Sequence, residues 1–205
     1  MLAGTINKKR THQKRDEPTR YGIMTDHQQE FELVHRIANK DEDALRRVYE
    51  VYGQRLYAYA LRLTNDHAQA EDVVQDALVA IWHSAKKFRG EGRLLAWLLG
   101  IVHHTAMKSL RHRSNPITDK METNLPATGL LPEEQVQASE RSIWIRQGLQ
   151  QLSPEHRAVL ELVFYQGLNL KETAQICSCP VGTVKSRLSY ARQQLRGVLS
   201  RTEEI

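Results

Sequence analysis

The sequence predicts an all-α protein made of two small helical domains joined by a flexible linker, the C-terminal one a helix-turn-helix. Apolar residues recur with the 3.6-residue period of helices from about residue 30 onward, and no stretch alternates convincingly as a strand would. Between residues 114 and 133 the period stops, and prolines and acidic residues replace it. We therefore divide the 205-residue chain into a tail (1–25), a helical domain (26–113), a linker (114–133) and a second helical domain (134–205).

The tail is polar, basic and aperiodic, which predicts disorder. Met24 is an alternative start of the chain. The net charge of +5 favours partners with phosphate backbones. No apolar run approaches the roughly 20 residues that a membrane span needs, and the N-terminus lacks the apolar core of a signal peptide. We therefore expect a cytoplasmic protein with no direct insertion into a membrane.

Four helices are predicted in the N-terminal domain. Asp41-Glu-Asp43 separates the first two, and Asp66 with Gln69 three residues on forms the capping signature of the third. The apolar side of the third helix comprises Val73, Val74, Ala77, Leu78, Ile81 and Trp82. The stretch 88–93, which contains two glycines, interrupts the pattern before a fourth helix that ends in basic residues.

The C-terminal domain is predicted to begin with a helix from Glu134 to Gln151. Ser153-Pro154 then caps a helix that stops at Gly167. Residues 169–192 indicate two further helices joined by a tight turn. Asn169 and Glu172 form a capping box for the first, and Pro180 suits the first position of the second.

The last helix has two different faces. Its apolar stripe is formed by Val184, Leu188, Ala191 and Leu195. The other side is small, hydroxylic and basic, as in a helix that enters the major groove of DNA. The candidate groove-facing residues are Lys185, Ser186, Ser189 and Tyr190, with Thr183 and Arg187 as phosphate or positioning contacts. The alternative is an ordinary amphipathic helix with a solvated polar face.

The sequence contains no group of residues that indicates an enzyme active site or a metal site. Cys177 and Cys179 are the only cysteines, and a disulfide across one intervening residue would be strained. We expect two small thiols in the turn, with no redox role assigned. His103 and His104 point about 100° apart on a helix and do not easily share one ion. With no nucleophile–base pair and no phosphate-cradling loop, we expect no enzyme, cofactor or metal.

Three stretches in order give the chain a resemblance to the extracytoplasmic-function (ECF) sigma factors of bacterial RNA polymerase, members of the sigma-70 family. Residues 55–82 are similar to the core-binding region of that family. Phe88-Arg-Gly-Glu-Gly with Ala96-Trp-Leu98 resembles its melting and −10-reading region. Leu152-Ser-Pro-Glu-His-Arg with Val181-Gly-Thr-Val-Lys-Ser-Arg-Leu resembles its −35-reading domain.

The resemblance implies a sigma factor that binds polymerase core, directs it to promoter DNA and assists melting. The contacts with core would involve the β′ coiled coil and the β subunit, and an anti-sigma factor would regulate the protein. The implied core-binding residues are Asp72, Gln75, Asp76 and Val79. The implied −10 and melting residues are Arg89, Glu91, Arg93, Trp97, His104, Lys108 and Arg111. The last helix would read the −35 element.

The chain departs from the family pattern at three places, and the first two bear on promoter specificity. Gly100 and His104 stand where many relatives carry a basic residue and an asparagine. Tyr190 stands where relatives often have arginine, which removes a strong guanine reader. Ser178 replaces a common glycine in the turn, where a left-handed backbone would cost about 1 kcal/mol. A stand-alone helix-turn-helix regulator is the alternative function, but it leaves the N-terminal domain unexplained.

Overall fold

The computed structural model describes residues 27–113 and 148–200, with side chains as far as residue 197. The described residues form helices and turns with no strand, so the all-α prediction is confirmed. The predicted tail, the linker and most of the helix 134–151 lie outside the described residues. We call residues 27–113 the N-lobe and residues 148–200 the C-lobe.

The N-lobe contains four α-helices. They are α1 (His27–Ala38), α2 (Glu42–Thr64), α3 (His67–Ser84) and α4 (Leu94–Arg113), with one 3₁₀ turn (Ala85–Lys87) after α3. The side chain of Asp41 accepts from Ala44 N at the start of α2, and that of Asp66 accepts from Gln69 N at the start of α3. Both carboxylates satisfy amides that have no partner inside the helix, as the sequence predicts for Asp66.

The C-lobe begins with the last turn of a helix, residues 148–150. It continues with α5 (Pro154–Leu160), which passes into a π-helical turn (Glu161–Tyr165), then α6 (Leu170–Ile176) and α7 (Val181–Ser200). Ser153 caps α5, and the predicted capping box of Asn169 and Glu172 is present at α6. Helices α6 and α7 with their turn form the predicted helix-turn-helix.

The turn between α6 and α7 depends on a strained residue. Ser178 has a φ of 49°, the left-handed conformation that its place in the turn suggests. Pro180 precedes the first residue of α7 instead of being that residue, and its carbonyl accepts from Thr183 N and Val184 N. Its prediction is therefore wrong by one position, a shift that helix ends commonly show.

Each lobe buries the stripes that the sequence predicts. In α3, Val73, Val74, Ala77 and Ile81 are buried. In α7, Val184, Leu188 and Ala191 are buried, and Leu195 packs beside them. These positions lie three or four residues apart, so one side of each helix faces the interior and the other faces solvent.

The C-lobe has an apolar cluster of its own around α7, but it also shares part of its interior with the N-lobe. Four C-lobe residues, Ala158, Leu162, Leu168 and Ile176, join the apolar cluster of the N-lobe. All four are at most 5% exposed. The C-lobe is too small to bury both sides of α5 and α6 against α7 alone. Their second apolar side therefore packs on α2 and α4 of the N-lobe.

Arg157 of α5 fixes the C-lobe to the end of α2. It is only 8% exposed, and its Nη1 donates to the carbonyls of Arg62 and Leu63 at 2.9 and 3.4 Å. Its other donors reach carbonyls of its own lobe, those of Leu149, Gln150 and Leu152. The C-terminal carbonyls of α2, which lack partners inside the helix, are thus bonded by a cation from the other lobe.

A buried ion pair lies next to this contact. Glu161 is fully buried and accepts from Arg62 Nη1 at 3.0 and 3.3 Å. The guanidinium of Arg62 also lies 4.0 Å from the ring centroid of Tyr165. The junction between the lobes therefore combines apolar packing with charged groups.

Candidate polymerase and DNA interfaces

The candidate core-binding residues share one exposed side of α3. Asp72, Gln75, Asp76 and Val79 are all exposed, and Val79 is 58% exposed although it is apolar. Their spacing of three and four residues aligns them opposite the buried stripe. An apolar group flanked by two carboxylates and an amide suits a basic partner that also offers apolar surface.

The loop between α3 and α4 is shaped by its glycines. Gly90 has a φ of 70°, and a Cβ there would lie 2.7 Å from the ring of Phe31. Gly92 has a φ of 95° with open space around it. A side chain at either position would distort the loop, and at Gly90 it would also displace Phe31.

Three aromatic rings pack against one another next to this loop. The ring of Phe88 lies 6.2 Å from that of Phe31 and 5.1 Å from that of Trp97, between centroids. Trp97 is half-buried against the core of the N-lobe. Its ring thus belongs largely to the support of the loop, and only part of this candidate −10 residue is accessible to DNA.

The start of α4 is held by a residue that sequence reasoning missed. Glu30 of α1 accepts from the Leu94 amide at 3.5 Å and from the Tyr52 hydroxyl at 2.7 Å. Its carboxylate thus lies at the positive end of α4. Only the acidic character of Glu30 on an otherwise apolar side of α1 could have indicated this role.

The other −10 candidates are exposed on the loop and along α4. Arg89, Glu91 and Arg93 lie on the loop, and Arg93 donates to the carbonyl of Gly167 at 3.1 Å. On α4 the candidates with helical spacing on the side of Trp97 are His104, Lys108 and Arg111. His104, Lys108 and Arg111 therefore lie along one exposed side of α4, and the loop candidates are exposed just before the start of that helix.

His103 belongs to the core and not to this exposed side of α4. It is 6% exposed, and its Nδ1 lies 2.9 Å from the hydroxyl of Tyr59. Burial, together with the charges of His104 and Arg187, lowers the pKa of His103 to about 4. Burial raises the pKa of Tyr59, so the hydrogen bond joins a neutral phenol to a neutral imidazole.

The candidate −35 residues on α7 fall into two groups. Lys185, Ser186, Ser189 and Tyr190 are exposed, as a groove-facing side requires. Thr183 and Arg187 are half-buried. Arg187 Nη1 lies 4.0 Å from the sulfur of Cys179, so this guanidinium is directed towards the turn, away from the exposed four.

Cys177 packs against both apolar clusters, and burial raises the pKa of its thiol to about 12. Both cysteines are free. Among the residues that the structure describes, no three His, Cys, Asp or Glu side chains gather as metal ligands. None of the helices within 27–113 and 148–200 is long and apolar enough to cross a membrane.

A helical lobe with an exposed acidic side, followed by a helix-turn-helix lobe, is the organisation of a two-domain sigma factor. The family profile "Sigma-70 region 2" matches residues 48–115, and "Sigma-70, region 4" matches residues 148–197. The chain is 36% identical over 156 residues to the ECF RNA polymerase sigma factor SigL of Mycobacterium tuberculosis, covering 74% of this chain and 86% of the relative. It is 26% identical over 175 residues to SigW of Bacillus subtilis, covering 80% of this chain and 92% of SigW.

Solved structures of sigma factors share the fold of this chain. The sigma factor RpoE of Bartonella quintana, in complex with the anti-sigma factor NepR, aligns with a TM-score of 0.65 and 28% identity, covering 76% of this chain and 96% of RpoE. CnrH, in complex with the cytosolic domain of CnrY, shares the fold with a TM-score of 0.60 at 20% identity, covering 84% of this chain and 97% of CnrH. The chain belongs to the ECF sigma factors of the sigma-70 family. It directs RNA polymerase to specific promoters, so the stand-alone regulator is no longer needed as an alternative.

Proposed function

We propose a division of labour among three surfaces of this sigma factor. The N-terminal domain (26–113) binds polymerase core through α3 and opens promoter DNA through the loop 88–93 and α4. The C-terminal domain (134–205) reads the −35 element through α7, and residues 114–133 connect the two. The observation that carries this assignment is that the whole α3 set is exposed on one side of its helix, and that most members of the other two sets are exposed on the loop, α4 and α7.

On α3, the docking side consists of Asp72, Gln75, Asp76 and Val79. The carboxylates set the register against basic side chains of the β′ coiled coil, and Val79 loses its exposed apolar area on binding. Because this side carries no part of the N-lobe core, docking leaves the fold unchanged.

The −10 strand lies along the loop and the exposed side of α4. The strained loop gives space for a base that leaves the stack, and the basic side chains of α4 neutralise the phosphates on either side. Strand opening here is a matter of binding, since the separated strand gains contacts that the duplex cannot make. We therefore propose no enzymatic activity for this chain.

The −35 duplex receives α7 in its major groove. The exposed side chains Lys185, Ser186, Ser189 and Tyr190 face the base edges, and Thr183 at the helix start contacts the backbone. The half-buried Arg187 serves in positioning.

An anti-sigma factor is the proposed regulator, and the bacterial cytoplasm is the proposed place of action. The support is the likeness to RpoE, which was crystallised with the anti-sigma factor NepR.

Reconstitution tests the division of labour. The purified chain is mixed with polymerase core, separated by size exclusion, and assayed for transcription on a promoter library. Co-elution with core and transcripts from a defined set of promoters are expected. A chain that elutes as a free DNA-binding dimer, with core in a separate peak, would refute the proposal.

A further inference from the structure

Two arginines of the N-lobe point at consecutive residues of the C-lobe. Arg55 Nη2 donates to the backbone carbonyl of Gln166 at 3.2 Å, and its Nε donates to the side-chain oxygen of Gln166 at 3.1 Å. Arg93 Nη1 donates to the carbonyl of Gly167 at 3.1 Å. Both cations are thus held by neutral amide oxygens of a chain segment that belongs to the other lobe.

The two positive charges lie close enough to disfavour each other. The pKa of Arg55 is lowered, first by burial and then by the charge of Arg93. Two neighbouring guanidinium groups bind best to an anion with several oxygens, and a phosphate diester matches the planar fork of arginine. Carbonyl oxygens offer the same geometry with only partial negative charge.

We propose that Arg55 and Arg93 form a binding site for phosphates of single-stranded promoter DNA, and that Gln166 and Gly167 cover this site when the lobes are closed. The inference rests on the proposed role of the loop 88–93 in holding the −10 strand, and it adds Arg55 to that interface. Closure and strand binding exclude each other, because both use the same two guanidinium groups.

Promoter geometry requires the lobes to part. The positions that name the −10 and −35 elements differ by about 25 base pairs, or roughly 85 Å along the duplex at about 3.4 Å per base pair. A compact body of about 140 residues has a radius of gyration of about 14 Å. The closed arrangement therefore cannot place α4 and α7 on both elements at once, and the separation that this requires also uncovers Arg55 and Arg93.

The junction is built so that it can open. The ion pair of Arg62 and Glu161 is buried on the Glu161 side and partly solvated on the Arg62 side. The desolvation of such a pair offsets much of its attraction, so separating the lobes returns hydration to both charges. Cys177, which packs against both apolar clusters, becomes accessible on opening and is an internal reporter of this change.

The competition is tested in a Cys179→Ser background, where Cys177 is the remaining thiol. A fluorescein-labelled 20-nucleotide single strand of mixed sequence is the probe, and its anisotropy gives affinity. The reaction rate of Cys177 with an aromatic disulfide reports opening. Saturating single strand is expected to speed this reaction several-fold. Binding of the strand with no change in the thiol rate would overturn the proposal.

Variants that weaken the junction between the lobes test whether closure covers a DNA site. Glu161→Gln, and independently Arg62→Gln, are expected to raise both the thiol rate and the affinity for the single strand several-fold. Glu50→Gln, the same charge change at an exposed position of α2, should alter neither. Circular dichroism verifies that each variant is folded. A faster thiol reaction without tighter DNA binding in both variants would show that Gln166 and Gly167 cover no DNA site.

The contact of Arg55 with DNA is then tested in a variant whose lobes are already open. In the Glu161→Gln background, Arg55→Ala should leave the thiol rate high but lower the affinity about tenfold. It should also reduce the slope of log affinity against log salt by about 0.7, the signature of one lost phosphate contact. Arg47→Ala, at an exposed position of the same helix, is the matched control. Equal losses in both variants would refute a specific site at Arg55.

A measurement of polymerase binding shows whether a negative result contradicts this inference alone or the proposed function as well. If the Glu161→Gln chain co-elutes with core but Arg55→Ala has no effect on strand binding, the inference alone fails. If that folded chain forms no complex with core, the proposed function fails first.

Discussion

The ring of Tyr190 on the exposed side of α7 lies 4.5 Å from the imidazole of His156 at the start of α5, between centroids, inclined by 39°. His156 is in turn 2.7 Å from the hydroxyl of Ser153, the cap of α5. A half-exposed tyrosine is therefore held in place by the neighbouring helix, which lowers the entropy lost when it contacts DNA.

This contact predicts coupling between the two residues in −35 binding. His156→Ala should weaken binding to the duplex by about 0.5–1.5 kcal/mol, the worth of an aromatic pair. In a Tyr190→Ala chain the same change should have almost no effect, and a double-mutant cycle by fluorescence anisotropy measures this. His83→Ala, exposed in the other lobe, is the control. Additive losses would show that His156 acts independently of Tyr190.

Reading and melting should be separable. Lys185→Ala and Ser186→Ala are expected to weaken binding to a duplex −35 element by about 1–3 kcal/mol each, if each side chain contacts a base edge. Capture of a pre-melted −10 strand should be unchanged. Arg93→Ala and His104→Ala should have the reverse effect, because they lie in the other lobe. Equal impairment of both templates by all four variants would indicate one composite DNA surface.

Charge reversal on α3 should weaken the complex with polymerase. Asp72→Arg with Asp76→Arg is expected to lower affinity for core at least tenfold, while circular dichroism stays the same because neither side chain is buried. Glu50→Arg, also at an exposed helical position, should bind core normally. An unchanged affinity of the double variant would place the docking surface elsewhere.

Loss of Arg157 should destabilise the whole closed chain. Arg157→Ala leaves several buried carbonyls without a donor, so the free energy of unfolding should fall by about 2–4 kcal/mol. Urea unfolding of the full chain measures this. The exposed Arg47→Ala should change stability by less than about 0.5 kcal/mol. A loss as small as that for Arg157→Ala would mean that water replaces its hydrogen bonds.

Acid should destabilise the chain through His103. Its pKa is about 4 in the fold and about 6.5 when unfolded, so between these values the unfolded chain binds more protons. The free energy of unfolding should therefore fall as the pH drops from 6.5 to 4, by about 3 kcal/mol in total. His103→Gln should remove this part of the slope. Identical pH profiles for the two chains would assign acid sensitivity to other groups.

The helices and their ends could be predicted because their signals are local. Asp66, Ser153 and Asn169 each accept from an amide two or three residues ahead, so the sequence spacing contains the whole interaction. The stripe of α7 follows in the same way from a fixed period. The left-handed backbone at Ser178 was indicated by the family resemblance, because relatives commonly have glycine at that place in the turn.

The junction of the lobes could not be predicted, because its partners are far apart in sequence. Arg62 and Glu161 are separated by 99 residues, and neither position alone indicates the other. Leu162 and Ile176 have helical apolar spacing, but that spacing does not say which core they join. The candidate sites could be predicted in part. Their residues were chosen from their helical positions and from the resemblance. The contacts of Glu30 and His156, which support two of these sites, could not be predicted from the sequence.

The bonds that Arg157 makes to the end of α2 mean that the lobes are not freely exchangeable parts. A chimaera that receives its C-terminal half from another family member would have unpaired helix carbonyls and exposed leucines unless the incoming half brings an equivalent cation. It would also need a carboxylate at the place of Glu161 to meet Arg62. Substitutions on one side of this junction are therefore constrained by the residues on the other side. We expect the residues of the two halves that meet at the junction to have evolved together.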